Sequence, residues 1–173
     1  MKHAMTATLM LVLAGCTTVA EQPTQELARA TLQQANGQPA GTARLLGNGS
    51  EVTITVALTG LTPGLHGVHL HMAGKCEGPA FASAGAHLNP AGHQHGSENP
   101  AGAHLGDLPN ATLGAAGSGT VSASLPGTPA EVMAALFDAD GTAVVVHADP
   151  DDYRTDPSGN SGARIACGVL TRG

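Results

Sequence analysis

The chain of 173 residues has no tryptophan, one tyrosine and two phenylalanines. It carries 24 glycines and 11 prolines instead, so long amphipathic helices have little room and turns must be many. That balance points to an all-β class. Basic residues are scarce too: seven Lys and Arg stand against thirteen Asp and Glu, for a formal net charge of -6. There is no uninterrupted basic cluster and no interleaving of aromatic with basic residues, which sets nucleic acid aside as a partner. The chain also lacks a long apolar run. The one candidate, Ala4 to Ala14, is too short to span a bilayer.

That short run has another use. Lys2 supplies a positive start, Ala4 to Ala14 is almost entirely apolar, and Gly15-Cys16 closes the segment in the manner of a targeting leader. Leu13-Ala14-Gly15-Cys16 resembles the lipobox of bacterial lipoproteins, which implies cleavage before Cys16, lipid on that cysteine and attachment to a membrane of the periplasm or cell envelope. The expected organisation is a lipoprotein signal peptide over 1–15, a flexible tether over 16–30 and a single domain over 31–173, a length that can bury a stable core. With Cys16 reserved for lipid, Cys76 and Cys167 are left as an even pair in an exported protein and are expected to form a disulfide.

Several runs read as strands: ATLQQA, GTARLLG, TVSASL, TAVVVH and RIACGVL. The clearest is EVTITVALTG, where Val52, Ile54, Val56 and Leu58 alternate with Thr53, Thr55 and Ala57. LHGVHLHM reads as one more. PAEVMAALF fits either a short helix opened by Pro129 or an irregular strand. Residues 72–110 form a long excursion rich in Gly, Ala, Pro, Asn and His, with too little apolar periodicity to pack itself, so something other than a hydrophobic core must order it. A second loop runs from 148 to 163. About eight strands with two long loops suggest an antiparallel barrel or sandwich.

Histidines carry the chemical signal. His69 and His71 alternate with Leu70 on a strand, so both rings project from one face, where they can share an ion such as zinc or copper. In the excursion, His87, His95, His104 and Asp107 follow at intervals of eight, nine and three. Three histidines and a carboxylate complete a tetrahedral shell for structural zinc, and a metal can order a loop that has no core of its own. His147 ends the buried run Val144-Val145-Val146.

Six separated motifs, GLHGVHLH, GAHLNP, HQHG, HLGDLPN, VVVHADPDD and GNSGARIACGVL, resemble in order and spacing those of the copper-zinc superoxide dismutases. The resemblance covers residues 30–173 and implies an eight-stranded antiparallel Greek-key barrel or sandwich whose two long loops form the metal site. It implies copper at His69, His71, His87 and His147, and zinc at His87, His95, His104 and Asp107, with His87 shared. Asp151 is implied to link a copper histidine to a zinc histidine, with Asp149 and Asp152 as nearby competitors. Arg164 is implied to hold the superoxide anion beside copper, although the 148–163 loop has no lysine and Lys75 is the one lysine left to assist. His66 is implied to support loop structure, while His93, although it opens HQHG, itself matches no family residue. The activity so implied is dismutation of superoxide, with His87 and Arg164 as the catalytic pair. The alternative is a non-catalytic periplasmic copper- or zinc-binding protein, and outward-facing strand positions leave a homodimer open.

Overall fold

The computed structural model describes residues 23–173. The expected signal peptide, the lipid acceptor Cys16 and the first part of the tether lie outside the described residues. The first strand, β1 (Gln25–Gln34), begins inside the stretch expected to be tether. Ala28, Ala30 and Leu32 alternate inward along it, and small alanines give a weak apolar signal. It runs by a hairpin into β2 (Pro39–Gly47), and β2 into β3 (Val52–Leu58), whose Val52, Ile54, Val56 and Leu58 are buried as their period predicts.

LHGVHLHM does not form one strand. It divides at Gly67 into β4 (Gly64–His66) and β5 (Val68–His71), which belong to different sheets. Beyond the long loop come β6 (Ala111–Leu113), β7 (Gly119–Leu125), β8 (Ala143–His147), β9 (Arg164–Val169) and β10 (Thr171–Arg172). The large antiparallel sheet has the order β5-β8-β9-β1-β2-β3-β7, with β10 also on β1. β9 thus returns to lie beside β1 of the β1-β2-β3 meander, the long-range pairing of a Greek key. Its two edge strands, β5 and β7, are each preceded by a member of the small β4-β6 ladder, which bridges the open side of the curled sheet.

The ambiguous PAEVMAALF is a helix, α1 (Pro129–Leu136). Thr128 caps it by accepting from the Glu131 backbone N–H while the Glu131 carboxylate accepts from the Thr128 N–H, and Val132 and Leu136 bury one face.

Strands β5 and β8 are buried on both faces. Val68, Leu70, Val144 and Val146 enter the main core, whereas Ala143 and Val145 face outward to Phe81, Ala84 and the half-cystine Cys167. Loop 72–110 therefore has a small apolar foothold that its sequence pattern does not reveal. The Cys76–Cys167 disulfide pins it to β9. Its backbone also covers the free edge of β5: Leu70 donates to Gly106 O, Leu88 to Leu70 O and Gly106 to Leu88 O, at 2.8–2.9 Å. A Cβ at Gly106 would overlap the Leu70 carbonyl, so this approach needs glycine.

Candidate metal centre

Strand alternation decides which way the histidines of β5 and β8 face. His69 lies opposite Val145 and His71 opposite Ala143, and His147 follows them in period two, so all three rings leave the outer face of the sheet beneath the loop. The loop returns His87 to a bridge with His71, and Asp107 to a bridge with His69. Ring nitrogens of His69, His71, His87 and His147 all lie within 4.8 Å of one another, and so do the ligand atoms of His87, His95, His104 and Asp107.

The hydrogen bonds fix the orientation of each ring. His69 donates from Nε2 to Asp151 Oδ2 (2.8 Å), His71 from Nδ1 to Gly85 O (2.9 Å) and His147 from Nδ1 to Gly162 O (3.3 Å). Each donation assigns the proton to the outer nitrogen and leaves a lone pair on the inner one. Those inner atoms, His69 Nδ1, His71 Nε2 and His147 Nε2, are buried without a partner, as are His87 Nε2 and His95 Nδ1. Buried polar atoms without partners are costly. Here those of His69, His71, His87 and His147 converge, which is what a ligand set for a cation requires, while His95 Nδ1 belongs to the second group.

In the second group, His87 Nδ1, His95 Nδ1 and His104 Nδ1 lie 2.9, 3.1 and 3.2 Å from one atom, Asp107 Oδ1. Zinc bonds of about 2.0–2.2 Å in a tetrahedron place neighbouring ligand atoms roughly 3.3 Å apart, so this spacing fits that ion. Asp107 Oδ2 accepts from the backbone N–H groups of Gly96 (2.9 Å) and His104 (3.0 Å), which hold the carboxylate still. His87 belongs to both groups through its two nitrogens.

Asp151 joins the groups. Its Oδ2 accepts from His69 and its Oδ1 from His95 Nε2 at 2.9 Å. Asp152 is engaged with Thr155, Arg154 and Asn160 of its own turn and takes no histidine. Asn110, which the sequence does not single out, grips Asp151 from both sides: its Oδ1 accepts from Asp151 N (2.8 Å) and its Nδ2 donates to Asp151 O (2.9 Å). Tyr153 adds a backbone bond to Asp151 Oδ1 (2.6 Å) and a hydroxyl that accepts from Asn110 N (2.8 Å). The Asn110 contacts are tertiary, while the Tyr153 N–H bond is a local turn of the 148–163 loop.

Burial pushes His71 down to about 2, His147 to about 3 and His87 to about 4, with neighbouring rings adding to the first two and Asp107 opposing in the third. All three are neutral at neutral pH, as ligands must be. Burial also acts against a charged His95, but the close Asp107 carboxylate and the hydrogen-bonded Asp151 carboxylate override it and raise the ring to about 9. The same field favours a metal cation at His95 Nδ1. Burial works against ionised Asp107 and Asp151 as well, yet the histidine and backbone donors hold both well below the usual carboxylate range.

Arg164 does not pair with the acidic 149–156 stretch. Its guanidinium donates to Phe81 O (2.8 Å) and Gly85 O (2.7 Å), so its charge is positioned but not neutralised. It shares a cleft with His71, His87 and His147. His66 is buried, with ring nitrogens against the carbonyls of His147 (2.8 Å) and Thr62 (2.9 Å), and it supports the β8 end without facing the ligand groups.

The model of the family "Copper/zinc superoxide dismutase (SODC)" matches residues 39–170 of this chain. The chain belongs to the copper/zinc superoxide dismutase family. A Cu-Zn superoxide dismutase of Caulobacter vibrioides is 43% identical over 149 residues, covering 83% of this chain and 84% of the relative. Superoxide dismutase Cu-Zn 2 of Aquifex aeolicus is 41% identical over 146 residues, covering 83% and 85%. The crystal structure of a SOD-like protein from Bacillus subtilis superposes with a TM-score of 0.76 at 37% identity, covering 83% of this chain and 97% of that one. In this member of the copper/zinc superoxide dismutase family, each of the two groups that share His87 could hold a metal ion.

Proposed function

We propose that this protein dismutes superoxide, with copper held by His69, His71, His87 and His147 and zinc by His87, His95, His104 and Asp107. The observation that carries the reading is the convergence of four buried, unpartnered ring nitrogens, those of His69, His71, His87 and His147, near an arginine whose charge no carboxylate among the described residues cancels. The net reaction converts two superoxide anions and two protons into oxygen and hydrogen peroxide. Copper supplies one-electron redox chemistry when bound, and zinc, which has none, fixes His87 and its loop.

The chain's own residues do the rest. Arg164, held by two backbone carbonyls, attracts and orients the anion in the cleft it shares with His71, His87 and His147. His87 presents Nε2 toward the copper group while Nδ1 is occupied at Asp107, so Nε2 is the atom able to accept and return a proton beside the substrate. Asp151 keeps His69 and His95 in their tautomers.

The Bacillus subtilis relative is called only SOD-like, so the fold by itself does not carry the activity. A metal carrier is the competing reading. It would need neither a ring common to both groups nor an uncancelled Arg164. The test is superoxide decay with copper- and zinc-loaded protein against the zinc-only form. Copper-dependent decay close to the diffusional ceiling, which superoxide dismutases are known to approach, is the expected result. Equal decay by both forms, with both metals shown to be bound, would establish the carrier.

The same reading includes export and lipid attachment at Cys16, supported by the leader-like residues before it. Cys16→Ser is expected to shift the protein from the membrane to the soluble envelope fraction. An unchanged distribution would refute the anchor.

A further inference from the structure

The cleft beside Arg164 is not the single opening onto the histidines. A separate crevice is lined by Met72, His87, His93, His104, Asp138 and Asp156. Its floor therefore includes two members of the zinc group, His87 and His104. The His104 side chain is 7% exposed and that of His87 3%, while His69 and His95 are at 0%. The zinc group thus meets solvent through His104. Asp138 and Asp156 are exposed, and among the described residues no lysine or arginine lines the crevice.

His93 matches no family residue and belongs to neither ligand group. It is exposed but closely held. Its backbone N–H donates to Asn89 Oδ1 (3.0 Å), its carbonyl accepts from Asn89 Nδ2 (2.8 Å), and its ring donates from Nδ1 to Ala103 O (3.0 Å). The ring bond assigns the proton to Nδ1 and leaves the Nε2 lone pair free. A carbonyl on the far nitrogen is also the usual device for orienting a metal-binding histidine. Ala103 immediately precedes His104, so the bond fastens His93 beside the outermost zinc ligand.

We infer that this crevice is the loading port of the zinc group, and that His93 is the first, transient ligand of the incoming ion. Asp138 and Asp156 concentrate divalent cations at the mouth, and the ion then exchanges His93 Nε2 for His104 Nδ1. Imidazole and carboxylate at the entrance suit zinc. No oxidation state changes, since one metal–nitrogen bond replaces another. The inference rests on the zinc assignment proposed above.

Cobalt(II) reports tetrahedral coordination by its visible absorption and serves as the probe. The full chain, stripped of metal by chelation, is mixed with cobalt(II) in a stopped-flow instrument, and equilibrium affinity is measured separately. His93→Ala removes a neutral donor and is expected to slow uptake several-fold, with final spectrum and affinity unchanged; the charges of Asp138 and Asp156 belong to the gain of about ten- to a thousandfold that charge-lined clefts give association rates. His93→Asp, which keeps a donor at the mouth, recovers most of the rate, and Asp138→Asn gives a smaller slowing. Wild-type uptake by His93→Ala would overturn the inference. So would a parallel fall in rate and equilibrium affinity, which marks a structural role, or a His93→Asp variant as slow as His93→Ala. Failure of the unmodified chain to bind cobalt would overturn the zinc assignment itself, an outcome distinguishable because no variant is involved.

Discussion

Replacing Asp151 by asparagine tests the link between the two ligand groups with almost no change of shape. The carboxylate accepts from His69 Nε2 at 2.8 Å and from His95 Nε2 at 2.9 Å. An amide offers one oxygen and one NH2, so one arm must set a donor against a donor. The histidine on that arm can escape only by turning away or by moving its proton to Nδ1, the atom needed for the metal. Loss of one hydrogen bond to a charged group costs about 1.5–3 kcal/mol. At about 1.4 kcal/mol per decade, that is roughly one to two orders of magnitude in affinity, which agrees with the 10–100-fold typical for partners of metal-bound histidines. The assay is competition with a chromophoric chelator, run separately for copper and zinc at fixed pH and ionic strength. Asp152→Asn is the control, because Asp152 touches only its own turn, and should leave both affinities unchanged. If Asp151→Asn keeps both affinities within about twofold of wild type, the carboxylate does not orient the histidines and the reasoning fails.

Arg164→Gln should lower the superoxide decay rate and weaken its dependence on ionic strength; an unchanged rate at every salt concentration removes the steering role. Converting both Cys76 and Cys167 to serine opens a closure of 91 residues and should cost about 4–5 kcal/mol in chemical denaturation by chain entropy, so a loss below about 1 kcal/mol would contradict it. In the metal-free chain, His71, His87 and His147 have folded pKa values of about 2, 4 and 3, below an unfolded value of about 6.5. The unfolded chain then protonates first, and Tm should fall between about pH 6.5 and 4; a flat Tm across that window would refute the burial argument. His95 has the opposite sign, and its stabilisation is lost only as pH rises through about 9. Gly159→Ala should weaken zinc binding, because a Cβ there would overlap Asp151 Oδ1 and crowd His95 Nε2 at a φ of +64°; wild-type zinc affinity would show that the loop can yield.

Side-chain alternation made β3 legible, since Val52, Ile54, Val56 and Leu58 are large enough to stand out against threonine. The beginning of β1 was not, because its inward positions are Ala28 and Ala30 and a register shift between Glu26 and Ala28 breaks the period. Gly67 gave no sign that β4 and β5 part company there, because that break is set by pairing with β6 and β8. The helix could have been favoured over a strand from Thr128, Pro129 and Glu131, a capping box with proline at the first turn. Ligand residue types were plain in the spacing of the histidines. The parts that aim them, Gly85 O, Gly162 O, Asn110 and the Tyr153 hydroxyl, act through backbone atoms or contacts between distant segments, which no local pattern encodes.

Because His87 belongs to both groups, and Asp151 fastens His69 to His95, neither ion can arrive without altering the ground on which the other lands. Thermodynamic reciprocity then constrains the pair: whatever factor zinc contributes to copper affinity, copper contributes equally to zinc affinity. When that factor is favourable, a cell short of one metal sees the protein release the other more readily. The fraction of fully loaded protein then follows the availability of both ions more steeply than two independent sites allow, and an unfavourable factor reverses both effects.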